Sequence, residues 1–204
     1  MNETIHAFFH STGLPEILEP SLVTFLVVGL AELGDKTQIL AFSLATRFRR
    51  PWTVLAGIVT AVAANHLLTA FAGSWAGSLL PTRALAAMVG ASFIAVGAWT
   101  LWGGDEKEHG PVGRYGAYLT TVIAFFLMEM ADKTQCAILV LAANYRSPLS
   151  VAAGGITAMT VVNGVGVFLG DRVSRVLPPK ALRIGTASLF LILGVAALLS
   201  ILRS

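Results

Sequence analysis

Displaced by 97 positions, this chain aligns with itself without a gap. Residues 22–102 lie over residues 119–199, and 26 of the 81 pairs are identical. Among them are Glu32/Glu129, Asp35/Asp132, Lys36/Lys133, Arg49/Arg146, Pro51/Pro148, Gly57/Gly154, Gly73/Gly170, Pro81/Pro178 and Gly97/Gly194. A match of that density exceeds what shared apolar composition produces, so the chain is an internal duplication. Each copy contains three apolar segments, near residues 21–46, 52–80 and 84–102, then 118–143, 149–170 and 182–202. Prolines and arginines separate them, as in Arg47-Phe48-Arg49-Arg50-Pro51 and Asn144-Tyr145-Arg146-Ser147-Pro148.

Segments of this length and apolarity are membrane spans. Only 12% of the 204 residues are charged against 55% hydrophobic, and mean hydropathy is +0.76. Soluble domains carry about 25% charge. The expected fold is an all-α membrane protein with six transmembrane helices. Three spans per copy is an odd number, so the second copy enters the bilayer from the opposite side, giving two inverted three-helix repeats. Secondary transporters are built this way, with their sites near the midplane where the repeats meet. The organisation reads as an N-terminal extramembrane segment (1–20), a first repeat (21–102), a charged linker (103–117) and a second repeat (118–204).

The net charge of +3 does not indicate a nucleic-acid binder, because the basic residues fall in short loops rather than on one solvated face. The loops after the first, third and fifth spans carry Arg47, Arg49, Arg50, Lys107, Arg114, Arg172, Arg175, Lys180 and Arg183. The opposite side carries Arg83, Arg146 and Arg203. By the positive-inside rule both termini are expected outside the cytoplasm. The first 19 residues lack the basic stretch and apolar core of a cleaved signal peptide.

The duplicated unit carries its charge in one place. Glu32-Leu33-Gly34-Asp35-Lys36-Thr37-Gln38 returns as Glu129-Met130-Ala131-Asp132-Lys133-Thr134-Gln135. Each copy lies about 12 residues from either end of its apolar run, roughly 18 Å at the helical rise. Charge at that depth is expensive and marks a functional site. In a continuous helix, residues three apart share a face. Glu32 would then point with Asp35, and Glu129 with Asp132. If the repeats meet about a two-fold axis, the four carboxylates form one cage, completed by Gln38 and Gln135 and supported by Thr37, Thr134, Lys36 and Lys133.

Such an oxygen-only set suits Ca2+, Mg2+ or Mn2+ rather than soft metals. Four carboxylates and two lysines sum to minus two, which one divalent ion or two protons neutralise. Protons and metal then compete for the same oxygens. Exchange of a divalent cation for protons by alternating access is the expected function, with no permanently bound cofactor and no catalytic residues. The bland reading makes Glu32–Lys36 and Glu129–Lys133 ion pairs within their helices, which leaves both aspartates uncompensated.

Cys136, the single cysteine, reads as a small buried thiol, and Met128, Met130 and Met159 as core fillers. Gly73, Gly77 and Gly170 read as close-packing positions. Asn65, His66 and Asn163 read as interhelical hydrogen-bonding residues, with a proton relay as the sharper alternative. Asp105, Glu106, Glu108 and His109 in the linker read as a solvated loop rather than a metal site.

The doubled Glu-x-Gly-Asp-Lys-Thr motif in two three-helix halves resembles the GDT-one family, also called uncharacterised protein family 0016. Ala131 stands where the motif has glycine. The resemblance implies a cation/proton antiporter for Mn2+ or Ca2+, with Glu32, Asp35, Glu129 and Asp132 holding the ion. It also implies a bacterial manganese exporter of the inner membrane, partnered by the lipid bilayer and the metal; homo-oligomer assembly is left open. Two rivals remain: a passive divalent-cation channel, and an intramembrane aspartyl protease using Asp35 and Asp132. The protease lacks a glycine at position 32 and gives the glutamates and lysines no role.

Overall fold

The computed structural model describes residues 18–33, 35–79, 81, 84, 87, 90–95, 98, 116–130, 132–176, 184, 187–188, 191–192, 194–196 and 198–199. Among them all regular structure is helical. Six helices are bounded: α1 (Leu18–Glu32), α2 (Lys36–Phe48), α3 (Pro51–Leu79), α4 (Ala117–Glu129), α5 (Lys133–Tyr145) and α6 (Pro148–Val176). The described residues between 84 and 98, and between 184 and 199, are helical too. The linker residues 103–115, with Asp105, Glu106, Glu108 and His109, lie outside the described residues, as do residues 1–17.

The expected first and fourth spans are each broken in two. The break falls inside the charged heptapeptide both times, so neither span is the continuous helix that its apolar run implies. In both copies the next helix starts after an aspartate. Asp35 (φ −80°, ψ 167°) and Asp132 (φ −94°, ψ 162°) are extended and stand at the N-cap positions of α2 and α5. Aspartate favours that position strongly. The break is narrow: Asp35 N–H donates to Glu32 O at 3.1 Å, and Asp132 N–H to Glu129 O at 3.3 Å.

The long helices behave as the sequence predicts. At 29 residues each, α3 and α6 reach about 44 Å, beyond the ~30 Å of a bilayer core. Pro51–Leu79 and Pro148–Leu169 are apolar enough to span a membrane. Their prolines occupy the first helical position, where no amide hydrogen is needed. The preceding turns are alike as well. Arg49 (φ 51°) and Arg146 (φ 52°) both adopt the left-handed conformation and donate their N–H groups to Ala45 O and Ala142 O at 2.9 Å.

Packing joins the two halves. The α3 helix packs on α4 and α5, α6 packs on α1 and α2, and α3 and α6 pack on each other. The fully buried side chains Val28, Val54, Ile58, Val62, Phe125, Ile138 and Met159 form the core of these contacts. Two glycines set the closeness. A Cβ on Gly57 would strike Thr121 and the Tyr118 carbonyl, and one on Gly154 would strike the Ser21 carbonyl. Gly154 is Gly57 shifted by 97 and Tyr118 is Ser21 shifted by 97, so the two contacts are one contact made twice. Gly73 and Gly77 sit against the backbone of Leu139 and Ala143 as close-packing residues should.

These contacts also give direction. Along α3, Gly57, Gly73 and Gly77 meet Tyr118, Leu139 and Ala143 in turn, so α3 runs parallel to α4 and α5. Along α6, Gly154 and Gly166 meet Ser21 and Gln38, so α6 runs parallel to α1 and α2. The start of α1 meets the end of α5, where Tyr145 Oη donates to Glu19 Oε1 at 3.4 Å. Ser21 Oγ, beside it, donates to Ser150 O at 2.8 Å. The two broken helices are therefore antiparallel.

Candidate metal centre

The four half-helices deliver their ends to one region. Glu32 and Glu129 are the last residues of α1 and α4, and both are fully buried. Asp35 and Asp132 precede the first turns of α2 and α5, whose free amide groups and positive dipole ends attract negative charge. Neither aspartate side chain caps its own helix. Both are free to face the neighbouring half instead.

Carboxylate oxygens of Glu32, Asp35 and Asp132 lie within 4.8 Å of one another. Oxygens on opposite sides of an ion bound at about 2.4 Å are themselves about 4.8 Å apart, so this trio fits around a single hard cation. It draws on both halves of the chain. Glu129 stands outside the trio but is tied to it through Thr134, whose hydroxyl lies 3.3 Å from Glu129 Oε2 and 3.2 Å from Asp132 Oδ2. In the first copy the corresponding hydroxyl, Thr37 Oγ1, donates to Glu32 Oε2 at 2.9 Å. Each glutamate thus has one oxygen held by its threonine. The other oxygen, Oε1 in both, is buried without a hydrogen-bond partner among the described residues. An orphaned buried acceptor is costly, and here two of them are ligand-competent.

Lys133 corrects one expectation. Its ammonium lies 2.6 Å from Asp35 Oδ2 and 4.0 Å from Asp132 Oδ2, rather than pairing with Glu129, which the break leaves at the end of α4. It therefore compensates the aspartates that the intrahelical reading left bare, and it binds one half of the molecule to the other. The Lys36 side chain lies outside those described.

The glutamines turn toward the long helices. Gln38 Nε2 donates to Val162 O at 3.1 Å on α6. Thr69 Oγ1 on α3 donates to Gln135 Oε1, and Gln135 Nε2 is buried with no partner among the described residues. Thr69 was not singled out by the sequence; its only signal was its position in the repeat, opposite Gly166.

Of the other polar residues, Asn65 behaves as expected, donating from Nδ2 to Phe126 O of α4 at 3.0 Å. His66 and Asn163 do not make the interhelical bonds expected of them. Neither ring nitrogen of the fully buried His66 has a partner among the described residues, and Asn163 Nδ2 bonds Met159 O within its own helix. Met159 is fully buried, as a core filler should be, but Met130 is 62% exposed. Cys136 is exposed rather than buried. Its position in α5 places it on the outward face, away from Ala137 and Ile138.

Comparison with known proteins places the chain among relatives. Residues 20–108 and 117–204 match the family model described as "Divalent cation/proton antiporter GDT1". A Vibrio cholerae protein described as "Putative manganese exporter" is 34% identical over 175 residues, covering 85% of this chain and 88% of that one. A GDT1-like protein of Synechocystis is 29% identical over 194 residues, covering 84% and 93%. GDT1-like protein 5 of Arabidopsis thaliana is 27% identical over 210 residues, covering 84% and 91%. No solved structure matches the chain significantly. Both copies of the charged heptapeptide fall inside the matched spans, and the protein belongs to the GDT1 family of divalent cation/proton antiporters.

Proposed function

We propose that this protein exports Mn2+ across a bacterial plasma membrane in exchange for protons. The ion is held by Glu32, Asp35, Glu129 and Asp132, and the antiparallel halves rock to expose it to each side in turn. The observation that carries this reading is the carboxylate trio with two orphaned glutamate oxygens at the meeting point of four half-helices. Broken helices meeting at a charged centre are how transporters bring polar backbone and ligands to the midplane. The doubled Gly57 and Gly154 contacts and the antiparallel direction of the halves support two inverted three-helix repeats, six spans in all. The arginine-rich turn after α2 supports a cytoplasmic position for that end and an outer position for the termini. Manganese is favoured over calcium by the description of the Vibrio cholerae relative, since the oxygen set accepts either ion.

The cycle follows from charge. With no metal bound, Lys133 holds Asp35, and two protons shared within the carboxylate cluster complete its neutralisation. Mn2+ enters the trio, displaces those protons and pushes the ammonium from Asp35. Orientation changes, and protons from the far side return the site to its first state. Each stage leaves the buried centre close to neutral, which a low-dielectric setting requires.

The test is Mn2+ flux in proteoliposomes under an imposed pH gradient, comparing wild type with Glu32→Gln and Asp132→Asn. Gradient-driven Mn2+ movement, abolished by either substitution, is expected. Flux indifferent to the gradient would indicate a channel, and no flux of Mn2+ or Ca2+ from folded protein would defeat the transport reading.

A further inference from the structure

His66 is fully buried, and neither ring nitrogen has a partner among the described residues. An unmet buried imidazole is costly, and holding the metal gives it no task. Its place is set by the helices around it. A Cβ on Gly155 would come within 2.7 Å of His66 Nδ1 and 2.6 Å of Ile138 Cδ1. The ring therefore lies between α6 and α5, in room that Gly155 leaves.

The same contacts give its depth. Gly155 lies seven residues into α6, about 10 Å from the start of that helix. Along α3, His66 lies eleven residues, about 16 Å, before Gly77, which meets Ala143 near the end of α5. Glu32 lies thirteen residues, about 20 Å, beyond Glu19. The ring thus stands part of the way from the carboxylate trio to the face that carries Glu19. Over that stretch it is the one buried titratable side chain among the described residues of α1, α3, α5 and α6. The buried positions of α1 and α5 at 24–31 and 137–143 are threonine or apolar.

Ile138 and Gly155 face the ring, and neither titrates. Of the charged groups on the elements around α3, Asp35, Glu129, Asp132 and Lys133 gather at the break. Tyr145 and Glu19 meet at the far face, and α6 has no titratable residue from 148 to 170.

The duplication supplies an internal control. Shifted by 97, His66 becomes Asn163, Tyr145 becomes Phe48 and Glu19 becomes Gly116. Toward Glu19 stand an imidazole, a phenol and a carboxylate, all able to exchange protons. Toward Arg49 their places hold an amide, a phenyl ring and a glycine, none of which can. Asn163 also commits its amide to Met159 O of its own helix.

We infer that His66 carries protons between the Glu19 face and the carboxylate cluster, a role that Asn163 cannot take in the other half. One ring nitrogen accepts a proton from the Glu19 side, the hydrogen on the other leaves toward the carboxylates, and tautomer exchange restores the ring. One proton crosses per passage and no electrons move. The inference rests on the proton-coupled carrier reading and adds the route by which its protons arrive.

The test separates proton movement from metal movement. Wild type, His66→Asn (the residue of the other half) and His66→Gln would be compared in proteoliposomes by two readouts. One is net Mn2+ flux driven by a pH gradient; the other is exchange of radioactive for unlabelled Mn2+ at equal pH. Exchange needs the metal site and its reorientation, but no net proton transfer. Gradient-driven flux should fall about a hundredfold in both variants, with exchange at the wild-type rate, which also shows that they are folded.

Full gradient-driven flux in either variant would overturn the inference. So would equal loss of both readouts in both variants, the signature of a packing role. A wild type that exchanges Mn2+ but ignores the gradient defeats the proton-coupled reading, and this inference with it. A wild type that responds to the gradient, with variants that respond equally, defeats the role of His66 alone.

Discussion

The two heptapeptides share five of seven residues, begin and end helices at the same places, and still sit in different surroundings. Glu32 joins the cluster of oxygens directly, whereas Glu129 reaches it through Thr134. Gln38 is clamped to a long helix, and Gln135 borders open space. The five residues that the copies share cannot by themselves produce this contrast. The difference arises from what the opposite half presents: Val162 and Gly166 on α6 in one case, Asn65 and Thr69 on α3 in the other. Each motif is thus read through the residues of its partner repeat. The shared residues stay the same while the wall around them changes.

The sharpest way to break this contrast is at the aspartates. Asp35→Asn and Asp132→Asn should each reduce Mn2+ flux at least about a hundredfold, since each removes a ligand charge. Their stabilities should differ. Asp35→Asn strips Lys133 of its 2.6 Å partner, and unpairing a buried charge costs up to about 3–5 kcal/mol. Asp132 remains 4.0 Å away, which places the loss at the lower end of that range. Thermal unfolding in detergent should therefore show Asp35→Asn well below Asp132→Asn. Equal melting temperatures would mean that the cross-repeat pair contributes little.

The glutamates come next. Glu32→Gln should weaken apparent Mn2+ affinity by about ten- to a hundredfold, and Glu129→Gln by less, because only Glu32 belongs to the trio. Equal losses, measured by substrate dependence of flux, would show that both glutamates reach the ion in turn.

Among the threonines, Thr37→Val and Thr134→Val each free a buried glutamate oxygen, costing about 1–3 kcal/mol. Thr134→Val should have the wider effect on affinity, as its hydroxyl contacts two carboxylates. The smallest change is Asn65→Val, which installs the residue of the other half. Losing one hydrogen bond to Phe126 O should lower stability by about 1 kcal/mol.

The sequence shows much of this plan. The 97-residue shift, the long helices with their initial prolines, and the charged heptapeptides are all visible without coordinates. The interruption at Asp35 and Asp132 is not, because continuous apolar residues on either side mask it. An N-cap aspartate was the available signal, and it outranks the glycine, since the copy with Ala131 breaks as well. Face-sharing along one helix gave the wrong reason for bringing Glu32 near Asp35; a turn does it instead. The Lys133–Asp35 pair crosses between halves, and no spacing rule within one helix could have found it. The outward turn of Cys136 depended likewise on which helices surround α5.

The interleaving of long and broken helices bears on biosynthesis. When the first half has been made, α3 has none of its eventual neighbours α4 and α5, and α1 and α2 lack their cover from α6. The polar interruption around Asp35 must wait in the lipid until the second half arrives, with Glu32 and Asp35 unmatched by Lys133. A ribosome stalled between the halves should therefore leave a nascent chain that quality-control proteases destroy. The two halves expressed as separate polypeptides should survive only when made together.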